Sequence, residues 1–304
     1  MDAKTAWPLI LGEVKKHIAG KADIIELMFI GLVANGHCLL EGVPGVAKTQ
    51  MCKTLSDAID AKFNRVQGTP DLDMKDIIGF TYTDETDHTV KIKQGPIFTN
   101  ILLIDELNRA PAKTMAAFLE ALEERQVTIP GAPTQQLEKP FIAFATQNPL
   151  NIEGTTTLPK VLADRFLMKI AVSYPSNEEE IEMIKIKETE AEVTTNKVIS
   201  TTDLLQMQKD ISSIRIQDDI IAFVTRMVDA TREDMHVVMG GSPRAEISFV
   251  RCAKAKALIE GRSEVTMDDI KFLAKPVLSH RLVVRSTGGI GVNGIIDGIV
   301  ASVK

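Results

Sequence analysis

The apolar run Cys38-Leu39-Leu40 leads directly into Gly42-Val43-Pro44-Gly45-Val46-Ala47-Lys48-Thr49, and a helical pattern follows. A strand that is apolar on both faces has to be covered by helices on both sides, the condition of a parallel sheet. A glycine-rich turn ending in Lys-Thr between such a strand and a helix offers its backbone amides to a phosphate. Gly42, Val43, Pro44, Gly45, Val46, Ala47, Lys48 and Thr49 are therefore candidate phosphate-binding residues. In that arrangement Lys48 reaches the β- and γ-phosphates, Thr49 ligates Mg²⁺, and the helix that follows turns its positive end toward the anion. The general pattern has glycine where this chain has Ala47. Alanine keeps its N–H and accepts helical dihedrals, so binding survives unless that position needs positive φ. The plain alternative, a strand-to-helix turn with an incidental lysine, leaves the Lys-Thr pair and both flanks unexplained.

Further apolar runs at residues 63–66, 101–104, 141–145 and 167–172 alternate with helical patterns such as Thr114 to Glu124. Alternation of this kind predicts an α/β fold, a parallel sheet flanked by helices. Ile101-Leu102-Leu103-Ile104 ends in Asp105-Glu106, two carboxylates at the carboxyl end of a buried strand, where open α/β sheets place their ligands. Asp105 can hold Mg²⁺ through water while Glu106 polarises an attacking water. Phe141 to Ala145 runs on into Thr146-Gln147-Asn148-Pro149. There Asn148 can orient that water or touch the γ-phosphate; read locally, the same residues make an Asn-Pro turn. Two segments break the alternation and read as hairpin inserts: residues 81–92 around an acidic turn and residues 127–137 around Pro130-Gly131.

Beyond Tyr174-Pro175 the strand signals largely stop. Five acidic, periodic stretches between Glu178 and Ser279 predict a smaller, all-α second domain over 176–304, after an α/β core over 1–175. Ser242 before Pro243 reads as a helix cap, as does Thr266. Gly289-Ile290-Gly291-Val292-Asn293-Gly294 matches GxGxxG, yet only ten residues follow, too few for a βαβ unit. It reads as a glycine-rich turn without an assigned role.

Composition narrows the function classes. A formal charge of −6 and 5% aromatic residues supply neither a basic track nor stacking platforms, which makes nucleic acid an unlikely partner. Three scattered cysteines without CxxC spacing fit a reducing compartment, and the five histidines form no metal-binding pair. The most apolar stretch, residues 24–40, carries Glu26, Asn35 and His37, so no membrane span is expected and a cytoplasmic location is.

The stretches EGVPGVAKT, FNRVQGTPDLDMKDIIG, GPIFTN, IDELNRAPAKTMAAFLEALEERQVT, ATQNP, LADRFLMKI and GGSPRA, spanning about Glu41 to Ala245, resemble the MoxR family of AAA+ ATPases. In that family alanine before the lysine is common. The resemblance implies a P-loop AAA+ core with a helical lid, ATP and Mg²⁺ as ligands, and ATP hydrolysis to ADP and phosphate. It assigns Asn148 as sensor 1, Arg165 as the arginine finger reaching a neighbour's γ-phosphate, and Arg244 as sensor 2, with Arg109 a further interface candidate. A salt bridge to Asp164 or another acid is the structural alternative for Arg165, and Arg244 stands similarly. The resemblance also implies a ring, a hexamer in the family's manner, and a chaperone-like role in remodelling, assembly or cofactor insertion. The family's usual partners carry a von Willebrand factor type A domain. A chelatase-type motor subunit, a nucleic-acid translocase and a non-hydrolysing scaffold are the alternatives. Joint retention of Lys48, Asp105, Glu106 and Arg165 argues against the last.

Overall fold

The computed structural model describes residues 1–148, 158–189, 194–285 and 291–303. Pro149, Gly289 and Ile290, used in the readings above, lie outside them. The chain opens with α1 (Ala3–Lys15) and α2 (Ala22–Val33), separated at Gly20 and Lys21, both at positive φ. Then follow β1 (Cys38–Gly42), α3 (Lys48–Ala58), β2 (Phe63–Gln67), a short α4 (Met74–Ile78), the hairpin β3 (Gly79–Thr83) and β4 (Val90–Gln94), and β5 (Ile101–Asp105). After α5 (Ala112–Glu124) come the two-residue strands β6 (Gln126–Val127) and β7 (Gln135–Gln136), β8 (Ile142–Gln147), a four-residue α6 (Lys160–Ala163) and β9 (Met168–Val172).

Five of these strands form one parallel sheet in the order β2-β5-β8-β1-β9. Alternation along the strands explains why both faces are covered. Cys38, Leu40, Ile101, Leu103, Ile142 and Phe144 enter one apolar layer, while Leu39, Leu102, Ile104, Ala143 and Ala145 enter the other. The second layer is closed by α5 through Met115, Phe118 and Leu122. Because β5, β8 and β1 are adjacent, the residues at their carboxyl ends come together at one edge of the sheet.

Both inserts are antiparallel hairpins, and they touch: Thr81 Oγ1 donates to the Pro130 carbonyl at 3.2 Å. Gly79, at φ +93°, leaves no room for a side chain, since a Cβ there would lie 2.0 Å from the Lys93 carbonyl. Phe80 and Tyr82 on β3 are exposed and meet edge to face at 6.5 Å. The acidic turn is tied down by Lys91, which pairs with both Asp84 and Asp87.

The remaining elements are α7 (Asn177–Thr189), α8 (Thr201–Asp210), α9 (Asp218–Glu233), β10 (Val237–Met239), α10 (Pro243–Ile259), α11 (Met267–Leu278), β11 (Val283–Val284) and α12 (Val292–Ser302). The helical half thus also holds a two-stranded ladder, β10 with β11. Its helices pack on the same apolar layer as α1 and α2: Ile10, Val14, Ile25 and Phe29 join Leu204, Phe249 and Leu273 in one cluster. Thr266 caps α11 in a reciprocal box with Asp269. Ser242 precedes Pro243 as expected but makes no side-chain cap; its hydroxyl donates to the Asp164 carboxylate instead. Gly291 to Gly294 form no free turn, for Gly291 is the residue before α12 and Gly294 lies inside it.

Candidate active site

The loop between β1 and α3 is shaped by two positive-φ residues, Gly45 at +84° and Ala47 at +60°. Ala47 thus meets the exception set for it, a position that needs positive φ, although its backbone N–H is retained. It occupies the left-handed region, which an L-residue enters at a cost of roughly 1 to 2 kcal/mol. Gly42 is required for a different reason: a Cβ there would lie 2.4 Å from the Val172 carbonyl of β9. Lys48 folds back over the loop, its Nζ donating to the Gly42 and Val43 carbonyls at 2.7 Å each. Burial lowers the Lys48 pKa, while the charges of Asp105 and Glu106 oppose the shift.

Asp105 receives four side-chain hydrogen bonds. Thr146 donates to Oδ1 at 2.6 Å; Arg65 donates to Oδ2 through Nε at 3.0 Å and Nη2 at 2.7 Å, and Thr49 through its hydroxyl at 3.1 Å. Burial alone would raise this carboxyl, but the bonds from Thr146, Arg65 and Thr49 outweigh it and hold Asp105 below the usual carboxylate range. Glu106 follows in the left-handed region at φ +54°, and its N–H donates to the Thr146 hydroxyl at 2.8 Å. Its Oε2 accepts from Gln67 at 3.0 Å and from Arg109 at 2.8 Å. Thr146, midway between β5 and β1, thereby fixes both acids.

A cavity of about 400 Å³ is lined by residues 44–50, Asp105, Glu106, Thr146, Gln147 and Asn148. Its donors suit a nucleotide with Mg²⁺: loop amides and Lys48 for the phosphates, and the hard oxygens of Thr49 and Asp105 for a cation that keeps waters and phosphate oxygens as its other ligands. Among the described residues no cluster of three or more His, Cys, Asp or Glu offers an all-protein metal site. A second cavity of about 220 Å³ flanks the same loop, with Ile18, Ala19, Val46 and Met183 among its walls.

Arg165 and Arg244 are not in the phosphate-loop cavity. They line a separate space of about 580 Å³ that shares no residue with it. Arg244 donates to Glu123 through both terminal nitrogens, at 3.0 and 2.7 Å, and Arg165 Nε lies 3.1 Å from the same carboxylate. The bond to Arg244 holds the Glu123 carboxyl below its ordinary range, despite partial burial. Arg109, by contrast, belongs to the phosphate-loop side through Glu106.

Sequence reading therefore brought together the loop, Asp105, Glu106 and Asn148, and it missed Arg65, Gln67 and Thr146. All three lie within stretches that carry the family resemblance. Nothing local marks them, because their partners are set by the pairing of β2, β5 and β8.

Comparison with known proteins agrees with this architecture. The model of the ATPase family associated with various cellular activities matches residues 37–168, and the AAA lid domain model matches residues 229–290. The chain is 41% identical over 281 residues to the chaperone MoxR1 of Mycobacterium tuberculosis, covering 89% of this chain and 74% of that protein. It is 39% identical over 303 residues to YeaC of Bacillus subtilis, an uncharacterised protein, covering 97% and 94%. A crystal structure of a Cytophaga hutchinsonii protein, described as a candidate ATPase, superposes with a TM-score of 0.91 at 36% identity over 99% of this chain and 95% of that one. With the loop, the paired carboxylates and the helical lid in place, the chain belongs to the MoxR family of AAA+ ATPases.

Proposed function

We propose that this chain hydrolyses ATP as a ring of identical subunits, hexameric in the family's manner, and uses the cycle to remodel client proteins. The observation that carries the reading is the split between two cavities. The phosphate loop, Asp105, Glu106 and Asn148 meet in one, whereas Arg165 and Arg244 line the other. A subunit that keeps its phosphate loop, Asp105 and Glu106 apart from Arg165 and Arg244 completes the chemistry only against a second copy, as a head-to-tail ring provides.

In this reading the loop amides and Lys48 bind the β- and γ-phosphates, and Thr49 with Asp105 holds Mg²⁺. Bound there, Mg²⁺ would neutralise charge on the phosphate oxygens. Glu106 accepts a proton from the attacking water, with Gln67 and Arg109 fixing its carboxylate, and Asn148 orients that water. Arg165 and Arg244 serve the site of the neighbouring subunit. The apolar slot beside Val46 suits the nucleotide base.

Client remodelling is supported by the chaperone name of the mycobacterial relative and by the exposed Phe80–Tyr82 pair on paired hairpins. A partner with a von Willebrand factor type A domain, a cytoplasmic location and a core-to-lid boundary near residue 175 belong to the same proposal, on family resemblance. Among the described residues no helix is long and apolar enough to cross a membrane.

Steady-state ATP hydrolysis measured against protein concentration tests the core of this reading. Specific activity should rise with concentration, vanish in Glu106→Gln with nucleotide still bound, and fall at least tenfold in Arg165→Ala, the order of an arginine finger's contribution or less. Normal turnover by Arg165→Ala would remove the shared-site mechanism.

A further inference from the structure

Three parts of the chain converge on one carboxylate. Glu123 stands in the last turn of α5, Arg165 precedes β9, and Arg244 is the second residue of α10. The nearby Asp164 is already engaged by Ser242 and by Arg281 Nε at 3.0 Å, and Arg244 Nε stands 3.9 Å from it. Glu123 is therefore the carboxylate that both arginines proposed to act on a neighbour's phosphate share, hydrogen-bonded to Arg244 and ion-paired with Arg165.

The surroundings are short of negative charge. Among the described residues, Arg125, Arg165, Arg244, Arg251 and Arg281 line this cavity against two carboxylates, Glu123 and Asp164. Arg125 and Arg251 donate to backbone carbonyls at Ala34, Asn35 and Phe141. His37, wholly buried and held neutral by that burial, adds no charge. The space is thus a cationic pocket in which one half-exposed carboxylate occupies the place where two guanidinium groups point. A carboxylate and a phosphoryl group present the same paired oxygens to a guanidinium, but the phosphoryl group carries more charge and a third oxygen.

We propose that Glu123 is a positioning residue that stands in for phosphate. In the separate subunit it holds Arg165 and Arg244 side by side, and it is displaced when an adjoining copy presents nucleotide phosphate to them. This inference rests on the reading that both arginines serve a neighbouring site. Its consequence is a threshold on assembly: part of the attraction between the arginine pair and the incoming phosphate is spent on releasing Glu123. The same release unties α10, through Arg244, from α5, and so links occupancy of the neighbour's site to the attachment of the lid.

The test uses the full chain and two quantities from one titration, the protein concentration giving half-maximal ATPase activity and the turnover at saturating protein. Glu123→Gln should lower the half-maximal concentration by roughly twofold to tenfold, the range expected for releasing two partly exposed ion pairs. Turnover at saturation should stay within about twofold of the parent, because the arginines themselves remain. A residue needed only to support the fold or the interface would act in the opposite sense. A higher or unchanged half-maximal concentration, or a large loss of saturating turnover, overturns the proposal. Arg165→Ala in the same titration separates the two levels. If it turns over normally, the neighbour-site reading itself falls; if it is inactive while Glu123→Gln leaves the midpoint unmoved, only the stand-in role is lost.

Discussion

Ala47 sits at φ +60° in a loop where the general pattern places glycine. Its Cβ therefore carries a conformational penalty that Ala47→Gly would remove, and the variant should be more stable by about 1 kcal/mol in urea titration. Two buried histidines make a separate prediction. His37 accepts from the Ala143 N–H through Nδ1 at 2.8 Å, so its Nε2 carries the proton donated to the Leu122 carbonyl at 3.0 Å. His280 approaches the Phe166 carbonyl through Nε2 at 2.9 Å, and its buried Nδ1 has no partner among the described residues. Burial pushes both pKa values well below the ordinary 6.5, so the folded state resists protons that the unfolded chain takes up. Their contribution is present above about pH 6.5 and is lost as pH falls below it, by about 1.4 kcal/mol per pH unit for each histidine until its folded pKa is reached. Urea midpoints between pH 7.5 and 5.5 should fall accordingly, and His37→Gln should flatten the slope. At this scale Lys48, Thr49, Asp105 and Glu106 were legible because their chemistry is written in consecutive residues. Arg65 and Thr146 were not, since each meets Asp105 only after separate strands have paired.

Elements with a clear period were legible for the same reason in reverse: a helix or strand of ordinary length repeats its apolar signal within itself. The sheet strands and the helices α8 to α11 follow that rule, whereas the two hairpins were marked by their turn residues and α12 was read only as a glycine-rich turn. Met74–Ile78 and Lys160–Ala163 are too short to repeat an apolar face over two turns, and the β10–β11 ladder pairs Val237 with Val284 and Met239 with Val283, far apart in sequence, so none of them left a local signature. Caps divide along the same line. In α11 the Thr266 hydroxyl bonds the Asp269 N–H while the Asp269 carboxylate bonds back, and Asp269 is held in turn by Arg262 at 2.7 and 2.9 Å. Thr266→Ala should therefore cost about 1 kcal/mol, read as a lower urea midpoint without a change of m-value. Ser242 invites the same inference from its sequence, but its hydroxyl serves Asp164, a residue 78 positions away.

At the scale of the whole molecule the lid grips the segment that carries Arg165. Arg281, almost wholly buried, pairs with Asp164 and donates to the carbonyls of Phe166 and Leu167, while His280 bonds Phe166 as well. Arg281→Ala leaves the partly exposed Asp164 carboxylate and the Phe166 and Leu167 carbonyls short of a donor and should destabilise the protein by about 2 kcal/mol in denaturant. If catalysis is divided between copies, two dead variants should revive each other. Mixing Glu106→Gln with Arg165→Ala in equal amounts would give roughly a quarter of the interfaces one intact acid facing one intact arginine, and ATPase activity should return in the mixture. Activity that stays at zero after subunit exchange would argue for a self-contained site.

The first two helices share their buried faces with the helices that follow the core. Ile10, Val14, Ile25 and Phe29 are wedged between the sheet and Leu204, Phe249 and Leu273 of the helices that follow the core. Melting the lid would uncover part of the packed face of these helices, so their amides should exchange with deuterium as slowly as those of α10, and the two sets should lose protection together as denaturant is added.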